Sequence, residues 1–282
     1  MQNFNYHCHT SFEEIFDGRN TADEMLTAYE AKGFKSVGIS NHYILNPLFN
    51  KLPFMHSQNL SNYDKALDFY KRSYEYIDNA ASKHHIKVYK GFEVDYFEDK
   101  EWRNNFEKII KELKPDYLIG STHFLRNNDD SYLISLFSLR LLSSSTTEAE
   151  KQQMLRCYWR NIIREIKSGY FDFIAHFDYC TLFNLCCGEE WSEIKLEIIE
   201  NMASQGIACE INTTGLREKN GSIPAMGRPF PDWWLIKELI KSNVPLLISD
   251  DAHRIEDTGF GFSYIEEKLS ELGCKNRFYL KD

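Results

Sequence analysis

Short apolar runs and amphipathic stretches alternate along this chain seven times, and no other feature restricts its possible folds as strongly. The spacing predicts strands over 4–10, 36–40, 87–94, 116–123, 171–176, 207–212 and 244–249. Between them it predicts helices opening at the Thr21–Glu24 capping pattern and closing at Gly33, then over 61–84, 99–113, 147–168, 192–205 and 232–242, with a last one over 255–272 interrupted near Gly259 and Gly261. Such alternation calls for a parallel sheet, open or closed, whose sites lie at the carboxyl ends of its strands. The 282 residues suit one α/β barrel, which takes about 250, and no repeat or linker divides them, so 1–282 is expected to be a single domain.

What stands at those carboxyl ends is consistent. His7 and His9 close the first run, and the period of two puts both on one face. His42 follows the second, Glu93 lies near the end of the third, His123 and His176 end the next two, and Asp251 and His253 follow the last. Six of the nine histidines sit at strand stops, leaving only His56, His84 and His85 elsewhere. One histidine at a strand end is often just a hydrogen-bonded polar residue; six of them aimed at one rim make a metal-chelating set. Asp250 competes with Asp251, but the Asp-x-His spacing places Asp251 and His253 on one face.

Composition excludes several partners. The formal charge of −9 repels a phosphate backbone, so nucleic acid is disfavoured. No apolar run nears the ~20 residues of a membrane span, and the first residues lack a secretory pattern. Seven irregularly spaced cysteines, none in a C-x-x-C pair, fit reduced, mostly buried thiols, and the adjacent Cys186–Cys187 pair fits ordinary packing. A cytoplasmic protein of unknown oligomeric state is the simplest expectation.

Imidazole with carboxylate suits zinc, iron or manganese, and the absence of thiolate ligands argues against a closed structural zinc site. So many ligands exceed one tetrahedral shell, so two or three divalent ions are expected close together. Such a cluster supplies hydroxide at neutral pH and neutralises a phosphoryl group, which serves phosphate-ester hydrolysis; amide hydrolysis uses the same physics and stays open.

His7-x-His9, Ser40-Asn41-His42, Gly91-Phe92-Glu93, Ser121-Thr122-His123, Ile174-Ala175-His176 and Asp251-Ala252-His253 resemble, in order, the motif series of the PHP (polymerase and histidinol phosphatase) family, most of all its histidinol-phosphate phosphatase branch. The resemblance implies a distorted (β/α)7 TIM-like barrel with a trinuclear site. By motif, His7, His9, Glu93 and Asp251 would hold one ion, the bridging Glu93 with His123 and His176 a second, and Asp17, His42 and His253 a third. Asp17, where some members carry histidine, otherwise reads as part of an Asp-Gly turn. The resemblance also implies L-histidinol phosphate as substrate, hydroxide attack at phosphorus, and Glu93, Asp251 and His253 at the chemistry.

Arg160 and Arg217 are the candidate phosphate-binding cations, with Arg228 as substitute. Glu13, Tyr43, Tyr96, Phe124 and Glu210 are the acidic and aromatic candidates for contacting the rest of the substrate, and residues 127–145 read as an insertion over the barrel mouth. A nuclease of the same family and a non-catalytic scaffold are the competing functions. The acidic charge disfavours the first and the complete set of nine ligands the second.

Overall fold

The computed structural model describes residues 2–46, 62–126, 133–136, 145–218 and 226–280. Its strands are β1 (Phe4–Asn5), β2 (Ser36–Ile39), β3 (His42–Tyr43), β4 (Lys87–Asp95), β5 (Tyr117–Ser121), β6 (Phe124–Arg126), β7 (Leu133–Ser135), β8 (Phe173–Ile174), β9 (Ala208–Asn212) and β10 (Leu246–Ser249). Seven of them pair in parallel in the order β1-β2-β4-β5-β8-β9-β10. The two ends of that path meet where Cys8 bridges Ala252 and the His9 amide donates to the Ala252 carbonyl at 2.9 Å, giving a nearly closed seven-stranded barrel.

Seven α-helices wrap the barrel: α1 (Ala22–Ala31), α2 (Tyr63–Ala81), α3 (Lys100–Leu113), α4 (Glu148–Ser168), α5 (Ser192–Gln205), α6 (Trp233–Lys241) and α7 (Phe262–Glu271) among the described residues. Their starts are written locally. Thr21 with Glu24 and Thr147 with Glu150 form reciprocal capping boxes, and Asn62, Asp99 and Asp232 cap α2, α3 and α6. The expected last helix is shorter than its periodicity suggests. Residues 255–257 make a 3-10 turn, and Gly259 and Gly261, both at positive φ, delay α7 until Phe262.

In sequence the second strand stops at Ser40, with His42 at its end and a loop from Tyr43, yet β3 pairs with β4 in the same register as β2, so β3 continues β2 across Ser40–Asn41. This continuation sets His42 directly beside Glu93. Within 127–145 the described part is β7, paired antiparallel to β6, with Leu136 and Ser145; the rest of that insertion, like residues 47–60 of the loop after β3, lies outside the described residues.

Two apolar bodies hold the fold. The larger lies between barrel and helices, where Tyr43, Tyr70, Phe92, Trp102 and Phe106 stack and tilt against one another. The smaller fills the amino-terminal half of the barrel with Phe4, Tyr6, Tyr89, Tyr117, Ile119, Phe173, Ala175, Ala208 and Leu247. Phe278 and Leu280 stopper it from below, the Phe278 amide donating to the Leu246 carbonyl at 2.9 Å. Tyr117 occupies space that two glycines leave free: a Cβ on Gly38 or Gly91 would overlap its ring.

Candidate metal centre

The carboxyl ends of the strands form one polar chamber, and Glu93 is at its centre, 1% exposed. Its Oε2 lies 3.2 Å from His42 Nδ1, 3.3 Å from His7 Nε2 and 3.4 Å from His9 Nε2. Its Oε1 lies 3.0 Å from His176 Nε2 and 3.7 Å from His123 Nε2. Five imidazoles thus surround one carboxylate. Burial alone would raise the Glu93 pKa, but His42, His7 and His123 outweigh it and hold the group well below the usual carboxylate range.

Two aspartates flank this centre. Asp251 Oδ1 is 3.2 Å from His9 Nε2, 3.5 Å from His7 Nε2 and 3.6 Å from His253 Nδ1. Burial opposes its ionisation, yet His7, His9 and His253 keep it far below the normal range. Asp17 Oδ2 is 3.1 Å from His253 Nε2 and 3.5 Å from His42 Nε2. Partial desolvation would raise its pKa, but His253 and His42 pull it well below normal. Desolvation opposes charge on the histidines as well, but Glu93 and Asp17 push His42 up to about 10, and Asp17 pushes His253 up to about 9.

All nine expected ligands therefore converge. Among the described residues, four groups bring one ligand atom of each member within 4.8 Å of the others: His9, Asp17, His42 and His253; His7, His176 and Glu210; His7, His9 and Asp251; and His42, Glu93 and His123. The donor set fits hard or borderline divalent ions. A further sign is His9 Nδ1, which is buried without a hydrogen-bond partner and points toward the Asp17 group. His9 thus faces two groups, Nε2 toward Asp251 and Nδ1 toward Asp17. Two members are held in unusual backbone conformations, Asp251 at φ 48 and His176 at φ 21, which the surrounding hydrogen bonds must maintain.

The Asp17-Gly18 pair does more than turn the chain. The Thr10 backbone passes so close to Gly18 that a Cβ there would overlap it. Gly18→Ala is expected to push the Asp17 loop off His253 and His42, costing about tenfold in ion affinity at that end and ~1–3 kcal/mol in stability. Ion content per chain and thermal unfolding, measured on the same preparation, check both.

Asp250 and Asp251 part ways. The Asp250 carboxylate turns away from the chamber and accepts from Tyr29 Oη (2.7 Å), Asn5 Nδ2 (2.9 Å), Gly259 N (2.6 Å) and Ala252 N (3.1 Å). Arg217, expected at the phosphate, is instead a buried strut: it pairs with Asp257 at 3.2 Å and donates to the Asp250 carbonyl. Arg228 donates to Thr181 Oγ1 at 2.6 Å and pairs with Asp178 at 3.3 Å. Arg160 is exposed on α4, beside Asn161, whose amide donates to Thr122 Oγ1 next to His123.

Of the candidate substrate contacts, Tyr43 and Tyr96 belong to the aromatic packing under the helices, and Glu13 pairs with Arg72 at the surface. Phe124 lies in β6. Glu210 is completely buried and holds His7 from behind. Asp95, which sequence reasoning passes over, accepts from the His123 amide and lies 3.3 Å from His123 Nδ1. The signal for it was present: Glu93-x-Asp95 on one strand puts both carboxylates on one face.

Comparison with known proteins bears on this geometry. A family model described as the PHP domain matches residues 5–214. A histidinol-phosphatase of Bacillus subtilis is 24% identical over 289 aligned positions, covering 95% of this chain and 100% of that protein. A protein of Deinococcus radiodurans named probable histidinol-phosphatase is 26% identical over 190 residues, 67% of this chain and 66% of its own length. Among solved structures, a histidinol phosphate phosphatase of Lactococcus lactis, complexed with Zn, L-histidinol and phosphate, superposes with a TM-score of 0.66 at 18% identity, covering 98% of this chain and 95% of that one, a likeness of fold. No described helix is long and apolar enough to cross a membrane. With the motif series, the barrel and a family match over most of its length in agreement, the chain belongs to the PHP domain family.

Proposed function

We propose that this chain is a metal-dependent phosphomonoesterase that hydrolyses L-histidinol phosphate to L-histidinol and phosphate. The observation that carries the chemistry is the carboxylate of Glu93 set among five imidazoles, with Asp251 and Asp17 on either side. The substrate follows the names of the relatives from Bacillus and Deinococcus and the ligands of the Lactococcus neighbour. A place in histidine biosynthesis, in the cytoplasm, is part of the same proposal.

In this reading two or three divalent ions, zinc, iron or manganese, are held by His7, His9, Asp17, His42, Glu93, His123, His176, Asp251 and His253. When bound they lower the pKa of water and neutralise charge at the phosphoryl oxygens. Glu93, whose two oxygens face different imidazoles, would hold ions together with those histidines and supply negative charge to them. Asp251 and His253, adjoining the open side of the chamber, orient the attacking water and the ester oxygen. Arg160 supplies the phosphate-side charge from α4, and Arg217 holds the Asp250–Asp257 corner on which Asp251 stands. The acidic charge of −9 keeps the site one for small phosphate esters rather than nucleic acid.

The test is phosphate release by the purified chain, with manganese, zinc or iron supplied and a chelated control. Turnover of L-histidinol phosphate is expected to exceed that of generic phosphate esters at least ~100-fold and to fall to background with chelator. Release from nucleotides or oligonucleotides alone would move the chain to another branch of the family. Ion binding without cleavage of any phosphate ester would end the phosphatase reading.

A further inference from the structure

One buried acid in the chamber has no place in the ligand scheme above. Glu210 lies in β9, between the strands that carry His176 and Asp251, and it is 0% exposed. Its Oε1 lies 2.5 Å from His7 Nδ1 and accepts from Ser249 Oγ. Its Oε2 accepts from the His176 backbone amide at 2.9 Å and from Asn212 Nδ2 at 3.1 Å. Four donors from four segments converge on two oxygens. A carboxylate has about four acceptor positions, so Glu210 has none left for an ion.

The consequences for its neighbours are specific. Both Glu210 oxygens already serve as acceptors for Ser249, His176 and Asn212, and in that arrangement the contact with His7 is completed by a proton carried on His7 Nδ1. That leaves the Nε2 lone pair pointing toward Glu93, His9 and Asp251, at 3.3, 3.2 and 3.5 Å. The second oxygen grips the amide of His176, the residue whose φ of 21 few side chains adopt.

We infer that Glu210 is a positioning residue that sets the His7 tautomer and the His176 backbone at once, so that two ligands from opposite sides of β9 reach the ions together. The inference rests on the metal-site reading proposed above. It separates Glu210 from a fourth-ion ligand, which the clustering of His7, His176 and Glu210 would otherwise suggest. It also explains why a carboxylate stands on a strand whose tip carries no histidine.

The experiment uses the full chain and Zn2+ alone as probe, in competition with a chromophoric chelator, followed by phosphate release from L-histidinol phosphate at buffered free Zn2+. In Glu210→Gln the amide oxygen stays on the His176 backbone amide, which can only donate, and the NH2 faces His7 and Ser249, which can both become acceptors. His7 is then driven toward the other tautomer, with Nε2–H against the ions. Zn2+ affinity is expected to fall about 10- to 100-fold, while total stoichiometry and turnover at saturating Zn2+ return to within a few-fold of wild type. A long-range 1H–15N spectrum should show the His7 signal change from the Nδ1–H to the Nε2–H pattern.

Wild-type affinity and an unchanged His7 tautomer in the variant would overturn the inference. So would a stoichiometry lowered by one ion even at saturation, which would make Glu210 a ligand. Should Glu210→Gln fail to fold, Glu210→Asp keeps the charge but cannot reach both His7 and His176. It is expected to bind Zn2+ at least ~10-fold more weakly, and wild-type affinity there overturns the inference equally. If wild type itself takes up no Zn2+, the metal-site reading and this inference fall together. If wild type loads ions and turns over while both variants load as tightly, only the role of Glu210 falls.

Discussion

Glu93→Gln is expected to reduce phosphate release by ~10³-fold or more while leaving the chain folded. The substitution changes almost no volume, and Phe92 and Val94 keep β4 anchored on the outer side of the barrel. What it removes is the one negative charge facing His7, His9, His42, His123 and His176 together, at 3.0 to 3.7 Å. An amide offers a single acceptor and turns a donor toward imidazoles that would otherwise share a carboxylate. Both the holding of the ions and the neutralisation of their charge then fail in one step. Turnover and ion content per chain, measured on the same variant, check this; activity within tenfold of wild type at full ion loading would show that Glu93 does not bridge.

The second large effect falls on stability. Asp250→Ala is expected to cost at least ~3 kcal/mol, because it leaves the Tyr29 hydroxyl, the Asn5 amide and the Gly259 and Ala252 backbone amides without their buried acceptor. For a chain of this size that lowers the unfolding midpoint by roughly 6–12 °C. Asp251→Asn, one residue away, is expected to do the reverse: activity should drop by ~10²-fold or more with stability within ~1 kcal/mol of wild type. Thermal unfolding and turnover of the pair form a crossed comparison. If both variants lose mainly stability, or both mainly activity, the assignment of the two neighbouring aspartates is wrong.

The residues that converge at the site were legible because strands have a period of two and stop where the barrel opens. His7-x-His9 and Asp251-x-His253 each announce a shared face without any tertiary information. Asp17 could not be found this way, since it stands in a loop and reaches the site only because Gly18 lets that loop lie against Thr10. Of the supporting acids, Asp95 was passed over and Glu210 was read as a substrate contact, for a different reason. Glu210 and Asp95 alternate in phase with Asn212 and Glu93, but deciding whether such a carboxylate faces an ion or the back of an imidazole takes three dimensions.

The arginines show the same limit. A loop Arg217 after a strand end suits a phosphate clamp until Asp257 is seen beside it. The alternation fixed the helices well, and it hid β3, whose two residues are too few to show a period and whose pairing depends on β4. Of the aromatic candidates, Tyr43 and Tyr96 follow strand ends in sequence but turn outward under the helices.

The seam at Ala252 joins the first strand to the last, and one candidate metal group is built across it from His7, His9 and Asp251. During synthesis the two histidines leave the ribosome more than two hundred residues before their aspartate. Contacts so distant in sequence form late. Tight uptake of an ion at that group therefore reports that the ring has been joined, and an ion-sensitive signal followed during refolding would time the closing of the barrel.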